Sequence, residues 1–162
     1  MSSADVETQS FHGVQFAPPT EFELVETMLS FRAPVKDELR DPRLMHRQMN
    51  VQPNVILHRK HAKPDTPLED IVGIALAEFI RTMVQLENVK KREFTFADGV
   101  DGFLISFDYP ATKDKVLRQY HAFRLDEGIL TSLALTADAI RVADSDDIEN
   151  MYLQSLASLV TE

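Results

Sequence analysis

The sequence predicts an α+β fold: an antiparallel meander sheet of about six strands, with one long helix after the third strand and a C-terminal helix. Two observations lead to this prediction. A strand-like segment, VILHR, is followed by an amphipathic helix over residues 66–86. Four further strand-like segments then follow in quick succession, and a second amphipathic segment ends the chain. Consecutive strands joined by short turns pair antiparallel, so these four should form a meander.

Both helices carry start signals. Thr66 is predicted to be the N-cap of the long helix, and Pro67 is predicted to be its first helical residue. Glu69, three residues after Thr66, would complete a capping box. The C-terminal helix is predicted over about residues 146–160, with Asp146 as its cap. One face of the long helix is apolar at spacings of three and four, through Leu68, Ile71, Val72, Ala75, Leu76, Phe79, Ile80 and Met83.

Alternation and glycine indicate the strands and their turns. FHGVQF could form a first strand, and FELVETMLSF contains a second. The later strands are VKKREFTF, GFLISFDYP, VLRQYHAFRL and ILTSLALTA. Gly99 and Gly128 fit the hairpin turns among them, because glycine adopts positive φ without strain. Residues 1–10 are expected to be a disordered tail, and residues 11–162 a single domain.

Composition and charge narrow the function classes. The net charge is −9, from 17 basic and 26 acidic residues, so the chain is not expected to bind nucleic acid or to attach directly to a membrane. The absence of cysteine excludes disulfides, thiolate catalysis and a lipid-anchored cysteine. The polar N-terminus lacks the pattern of a signal peptide, and no apolar stretch approaches membrane-spanning length. We therefore expect a cytoplasmic protein.

No constellation of residues predicts catalysis, a metal or a cofactor. His58 and His61 are three apart but lie at a strand end and in a loop, beside lysines that would oppose a cation. His121 is expected to be a hydrogen-bonded structural histidine. The acidic cluster from Asp144 to Glu149 is explained by helix capping and the helix dipole. We therefore expect no enzyme, no metal site and no cofactor.

Alternation also sorts the strands into faces. One predicted face carries large side chains and should pack under the long helix: Phe103, Ile105, Phe107, Tyr109, Ile129, Thr131, Leu133 and Leu135. The other predicted face is smaller and mixed. It is covered either by the second helix or a dimer mate, or it forms a shallow groove for a partner's helix. Small residues let a helix approach closely, and hydroxyl groups can bond its polar atoms.

Three stretches together resemble a known family. They are FAPPTEFELVETMLSF, then NVILHRKHAKPDTPLEDIVGIALAEF, then the strands from VKKREFTF to ILTSLALTA. The chain resembles the DcrB-related group of the PsbP-like fold, whose cytoplasmic members are the Eag-type chaperones of type VI secretion. The lipoprotein branch of that group needs a signal peptide and a cysteine, which this sequence lacks. The charged segment over residues 33–50 also looks longer than a plain loop.

The resemblance implies a dimeric, non-enzymatic adaptor. Such a protein would shield the apolar N-terminal transmembrane helices of a secreted effector before they are loaded onto the secretion apparatus. The sheet would form the receiving groove, which falls here on Leu104, Ser106, Leu117, Gln119, Leu130, Ser132 and Ala134. Two alternatives stay open. One is a type III-like secretion chaperone that binds extended segments. The other is a small-molecule carrier or enzyme with a cavity between sheet and helix, which a deep closed pocket containing His121 or Tyr120 with a partnered carboxylate would favour.

Overall fold

The structure, a computed structural model, describes residues 9–11, 14–16, 24–33 and 53–161. In chain order the strands are β1 (Gln9–Phe11), β2 (Val14–Phe16), β3 (Glu26–Arg32), β4 (Asn54–His61), β5 (Glu87–Thr95), β6 (Asp101–Thr112), β7 (Lys115–Asp126) and β8 (Ile129–Asp138). The helices are α1 (Leu68–Thr82) between β4 and β5, then α2 (Ala139–Ala143) and α3 (Asp146–Ala157) after β8.

The predicted architecture is confirmed. Strands β3 to β8 form one antiparallel sheet of six strands in the order β3-β4-β8-β7-β6-β5. The meander runs from β5 to β8, and β4 then pairs with β8, so the β3–β4 pair extends the sheet. The segment FHGVQF contributes to a separate pair, β1 with β2. Gln9 and Ser10, predicted to be part of the tail, lie in β1; residues 1–8 and 34–52 lie outside the described part of the chain.

Helix α1 begins later than predicted, and the predicted capping box is wrong. Its N-cap is Pro67, and no side chain caps it. The Thr66 hydroxyl donates instead to the carbonyl of Pro64, 3.4 Å away. Glu69 still lies in the first turn, where the positive end of the helix dipole favours a carboxylate. The helix ends at Thr82, short of the predicted residue 86, because the chain leaves helical geometry and reaches a positive φ of 57° at Gln85.

The C-terminal part contains one helix that the sequence did not predict. Asp138 begins α2 by accepting hydrogen bonds from the backbone N–H of Ile140 at 2.9 Å and Arg141 at 3.4 Å. Helix α3 follows with Ser145 at the N-cap position, so the prediction that Asp146 is the cap is wrong. Asp146 lies in the first turn together with two further carboxylates, as the helix dipole favours.

The sheet is covered on both sides, which gives two core layers. Helix α1 packs on β6 and β7, where Val72, Ile105, Phe107, Phe123 and Leu130 are buried together. We call this side of the sheet the α1 face. Helices α2 and α3 pack on the opposite side, the α3 face, over a second cluster. This cluster consists of Phe96, Leu104, Tyr120, Ala122, Leu133, Leu135, Ala137, Val142 and Leu156.

The predicted assignment of β8 to the side of the long helix is wrong, and one residue explains the error. The four β8 residues from Ile129 to Leu135 that were expected under α1 lie on the α3 face. In β6, Pro110 pairs with Val116 and Thr112 pairs with Lys115, so the ladder between β6 and β7 shifts by one residue. Such a bulge reverses the alternation of one strand relative to the next. The odd-numbered residues of β6 therefore share a face with the even-numbered residues of β8.

A buried arginine joins the end of the chain to two turns. Arg124 is 1% exposed, and its guanidinium donates to Asp126 at 2.7 Å and to Asp98 at 2.8 Å. It also donates to the carbonyl of Leu159 at 3.0 Å and lies over the ring of Phe96, 5.0 Å from its centroid. One side chain thus holds the β5–β6 turn, the end of β7 and the segment after α3 in a fixed arrangement.

This cluster should make the protein sensitive to acid. Hydrogen bonds from Arg124 lower the pKa of both Asp98 and Asp126 below the ordinary value of 3.8. A carboxyl whose pKa is lower in the folded than in the unfolded state stabilises the fold above the unfolded pKa, and this stabilisation is lost as the pH falls through the folded pKa. We therefore expect the urea midpoint to be level near neutral pH and to fall as the pH drops below about 4. An equal midpoint across that range would contradict the prediction.

Candidate functional site

Helix α1 leaves part of its own side of the sheet uncovered by any described helix. Its contacts lie on β6 and β7 and reach Leu130 near the start of β8. Beyond that point, β8, β4 and β3 present two rows of three side chains. Each row runs across the strands and takes one residue from each of them. The rows are Ser132, His58 and Met28, and then Ala134, Ile56 and Ser30. We call these six residues the open face.

The open face has small side chains next to the helix-covered core, and its large apolar side chains, Ile56 and Met28, lie on β4 and β3. Ser132 and Ala134 are half-buried next to the helix-covered core, whereas Met28 is 63% exposed and Ile56 is 37% exposed. Three strands about 4.8 Å apart give a floor roughly 10 Å wide, which is close to the diameter of an α-helix with its side chains, about 10–12 Å. The surface therefore matches a single apolar helix in size and chemistry.

Polar groups border the open face on two sides. At the β3 end, the His58 ring nitrogen and the Glu26 carboxylate lie 2.8 Å apart. On the side of α1, Gln119 donates to the hydroxyl of Thr136 at 3.1 Å and pairs with the ring of His121 at 3.0 Å. These groups could orient a partner by hydrogen bonds while the floor provides apolar contact.

His121 forms the wall between the open face and α1. Its ring lies 4.5 Å from the ring of Phe79, 5.6 Å from that of Phe107 and 6.3 Å from that of Phe123, measured between centroids. Burial lowers its pKa to about 4, so the ring is neutral near neutral pH. A neutral, aromatic-lined histidine is a packing residue with one hydrogen bond, and no carboxylate of the described residues lies within bonding distance to make it a general base.

The seven predicted groove residues do not lie on one surface: five are on the α1 face and two are on the α3 face. Ser132 and Ala134 lie on the open face, and Gln119 lies beside it. Leu117 and Leu130 are on the same side of the sheet but are buried. The other two, Leu104 and Ser106, are on the α3 face, where Leu104 is part of the core. The second helix covers that face, which was one of the explanations considered for it.

The sequence reasoning missed the contribution of β3 and β4 to this surface. Met28, Ser30, Ile56 and His58 were not assigned to the groove, although alternation along each strand places them on one side. The missing information was the pairing of β4 with β8, because nothing in the sequence between the two strands indicates that they are neighbours.

A second concave site lies on the α3 face, between the sheet and the start of α3. It is a polar cavity of about 450 Å³ whose lining includes Lys90, Arg92, Arg118 and Ser106. Tyr120 also lines it and donates a hydrogen bond to Glu149 at 2.7 Å. Arg118 is paired with Asp108, so Lys90 and Arg92 beside the Glu149 carboxylate leave the lining a small positive excess that could attract a small anion.

Two ionised groups shape that cavity. The Arg118 guanidinium pairs with both carboxylate oxygens of Asp108, at 2.7 and 2.9 Å, and Asn88 donates to the same carboxylate at 2.8 Å. Burial alone would raise the pKa of Asp108, but these hydrogen bonds outweigh it and the pKa is lowered. Burial and the neighbouring Glu149 raise the pKa of Tyr120. Tyr120 is therefore a neutral hydrogen-bond donor, and not a base, near neutral pH.

His58 and His61 point to opposite sides of β4, because they are three positions apart along the strand. In the described ranges, no group of three or more His, Cys, Asp or Glu residues is arranged to hold a metal ion. None of the described helices is both long and apolar enough to cross a membrane.

Comparison with known proteins shows a likeness of fold. No family model matches the sequence, and no curated protein matches it. The structure is similar to PA94 from Pseudomonas aeruginosa, a protein of unknown function described as a candidate regulator, with a TM-score of 0.66 and 13% identity over 96% of both chains. It is also similar to LpqN, involved in cell envelope biogenesis of Mycobacterium tuberculosis, with a TM-score of 0.44, 14% identity and coverage of 77% of this chain and 79% of that one. The PA94 likeness extends over nearly the whole chain and supports the α+β architecture.

Proposed function

We propose that this protein is a cytoplasmic, non-enzymatic chaperone and adaptor that binds an apolar helix of a client protein on its open face. The observation that carries the proposal is the surface itself, with small residues next to the helix-covered core, the apolar residues Ile56 and Met28 on the two outer strands, and hydrogen-bonding groups on two sides. A helix laid there would exchange water for apolar contact with Met28 and Ile56, which stabilises the complex. Ser132 and Ala134 would let the helix approach the sheet closely.

The sequence resemblance to the DcrB-related group within the PsbP-like fold suggests the client. By that resemblance, the client is the N-terminal transmembrane segment of a type VI secretion effector, and the protein works as a homodimer that holds the segment before loading. A transmembrane segment has about 20 apolar residues and would aggregate in water without cover. A specific protein interface buries about 800 Å² on each partner, which is more than one open face of six residues provides. Additional cover is therefore expected from a second copy.

Co-expression tests this proposal. The N-terminal apolar fragment of a secreted protein encoded next to this one would be produced alone and together with the full chain. We expect the fragment in the soluble fraction only in the presence of the chain, and in one complex with it. If the fragment aggregates in both cases while the chain remains folded, the proposed function is wrong. If the chain instead solubilises an extended segment without an apolar helix, the type III-like alternative is favoured.

The polar cavity supports a second candidate function, the binding of a small anion. Tyr120, which is hydrogen-bonded to Glu149, and the basic side chains Lys90 and Arg92 of the lining support this candidate. Calorimetric titration with inorganic phosphate and pyrophosphate tests it, with Arg92→Gln as the variant. Saturable binding that the variant weakens would establish the cavity as a ligand site. Heats indistinguishable from dilution would exclude both anions.

A further inference from the structure

The two edges of the sheet differ in how they are protected. Strand β5 forms one edge, is rich in Lys, Arg and Glu, and has an irregular register with β6. Charges and bulges of this kind prevent a strand from pairing with another chain. Strand β3 forms the other edge, and within the described ranges only β4 pairs with it. On this strand Met28 is 63% exposed, Phe31 59% and Leu29 40%. Its side chains therefore do not protect the edge from pairing with another strand.

The sequence of β3, ETMLSFR, is complementary to itself when it is paired antiparallel and centred on Leu29. In that register Glu26 lies opposite Arg32 of a second copy, and Arg32 opposite Glu26. Leu29 lies opposite Leu29 on the two-fold axis. Opposite charges across an antiparallel pair attract, and apolar pairs pack, so the two ends and the centre of the paired strands contribute favourably. A register shifted by two residues would bring these end charges out of contact.

We propose that β3 pairs antiparallel with β3 of a second copy, centred on Leu29, so that the two six-stranded sheets become one continuous sheet. The pairing is isologous, because the same strand is used by both copies, and it closes after two copies. It covers the edge that the described chain leaves open. Exposed Leu24 and Val25 lie next to the paired strand and extend the apolar contact.

The pairing also completes the groove, a consequence that rests on the proposed function. Met28 and Ser30 flank Leu29 and are the residues of the open face nearest the two-fold axis. The open faces of the two copies therefore meet there. The shared floor would be six strands wide, roughly 24 Å, compared with about 10–12 Å for one helix. The joined groove would therefore hold two apolar helices side by side, such as a helical hairpin.

Charge reversal tests the pairing without any client. Glu26→Arg and Arg32→Glu each place like charges at both ends of the paired strands, and we expect either variant to weaken the dimer by at least about tenfold in Kd. Mixing the two variants restores an opposite charge at both ends of a mixed pair, and so does the double variant Glu26→Arg/Arg32→Glu. We expect dimer affinity to return to within about threefold of the unchanged chain in both cases. Sedimentation equilibrium measures this, and circular dichroism confirms that each variant is folded.

Cysteine crosslinking tests the register. The chain has no cysteine, so Leu29→Cys introduces one thiol that would face its equivalent across the axis. We expect this variant to form a disulfide-linked dimer on mild oxidation, and Phe31→Cys, which would face Thr27, to form far less. A chain that sediments as a monomer, single reversals that leave the dimer unchanged, or equal crosslinking at both positions would overturn the proposal. None of these outcomes depends on the client, so the pairing can fail while the proposed function stands.

Discussion

Replacing Arg124 by methionine should lower the free energy of unfolding by about 3–5 kcal/mol, the usual effect of removing one partner from a buried ion pair. Methionine fills much of the same volume, so the loss comes from the charge and the hydrogen bonds and not from a cavity. Asp98 and Asp126 would remain near each other without the cation that pairs with both. The bond to the carbonyl of Leu159 would also be lost, which frees the segment after α3.

Urea denaturation measures this effect, and Arg81→Met is the matched control. Arg81 pairs with Glu78 on the exposed surface of α1, and exposed pairs of this kind contribute at most about 1 kcal/mol. The Arg124 variant should also lose part of the fall in stability at low pH, because Asp98 and Asp126 no longer have lowered pKa values, whereas Asp108 and Asp138 keep theirs. If both arginine variants have the same small effect, the clustered charges do not hold the C-terminal segment.

Replacing Ser132 by arginine should weaken binding of the apolar helix by at least about 100-fold. The new side chain would place a charge in the centre of the open face, and burying an unpaired charge under an apolar helix costs several kcal/mol. The matched control is Ser155→Arg, the same change at an exposed position on α3, on the other side of the sheet. We expect the control to bind as the unchanged chain does.

Thermal melting separates loss of binding from loss of the fold in this pair of variants. Because Ser132 is half-buried, a second variant, Ile56→Glu, introduces a charge at a more exposed position of the same face. Both variants should melt near the unchanged chain and both should fail to bind. Binding that survives both changes would show that the helix is held elsewhere.

Local patterns in the sequence were sufficient to predict the architecture. Apolar spacing along residues 66–86, together with Pro67, indicated α1, and the glycines of the short turns indicated the meander. These signals are local, since each depends on residues close together in the chain. The capping of α1 was wrong because Thr66, two residues before the helix begins, bonds Pro64 instead. Helix ends depend on the path of the preceding loop, which the pattern does not specify.

The faces of the sheet could not be predicted because they depend on register. With no bulge between Pro110 and Thr112, the odd-numbered residues of β6 and β8 would share a side, as the sequence reasoning assumed. A single extra residue moved Leu133 and Leu135 from the side of α1 to that of α3 and brought Ser132 and Ala134 to the open face. The predicted groove residues Ser132 and Ala134 of β8 therefore lie on the open face, and the two taken from β6 lie on the opposite side of the sheet.

Thiol protection is the most direct test of the central claim that the open face holds an apolar helix. The chain has no cysteine, so Ser132→Cys and Ser155→Cys each introduce a single thiol, one on the open face and one on α3. Alkylation rates would be measured for each variant, free and in complex with the client fragment. We expect the fragment to slow alkylation at position 132 by about tenfold or more and to leave position 155 unchanged. Equal rates at position 132 with and without the fragment, in a complex that is otherwise intact, would contradict the claim.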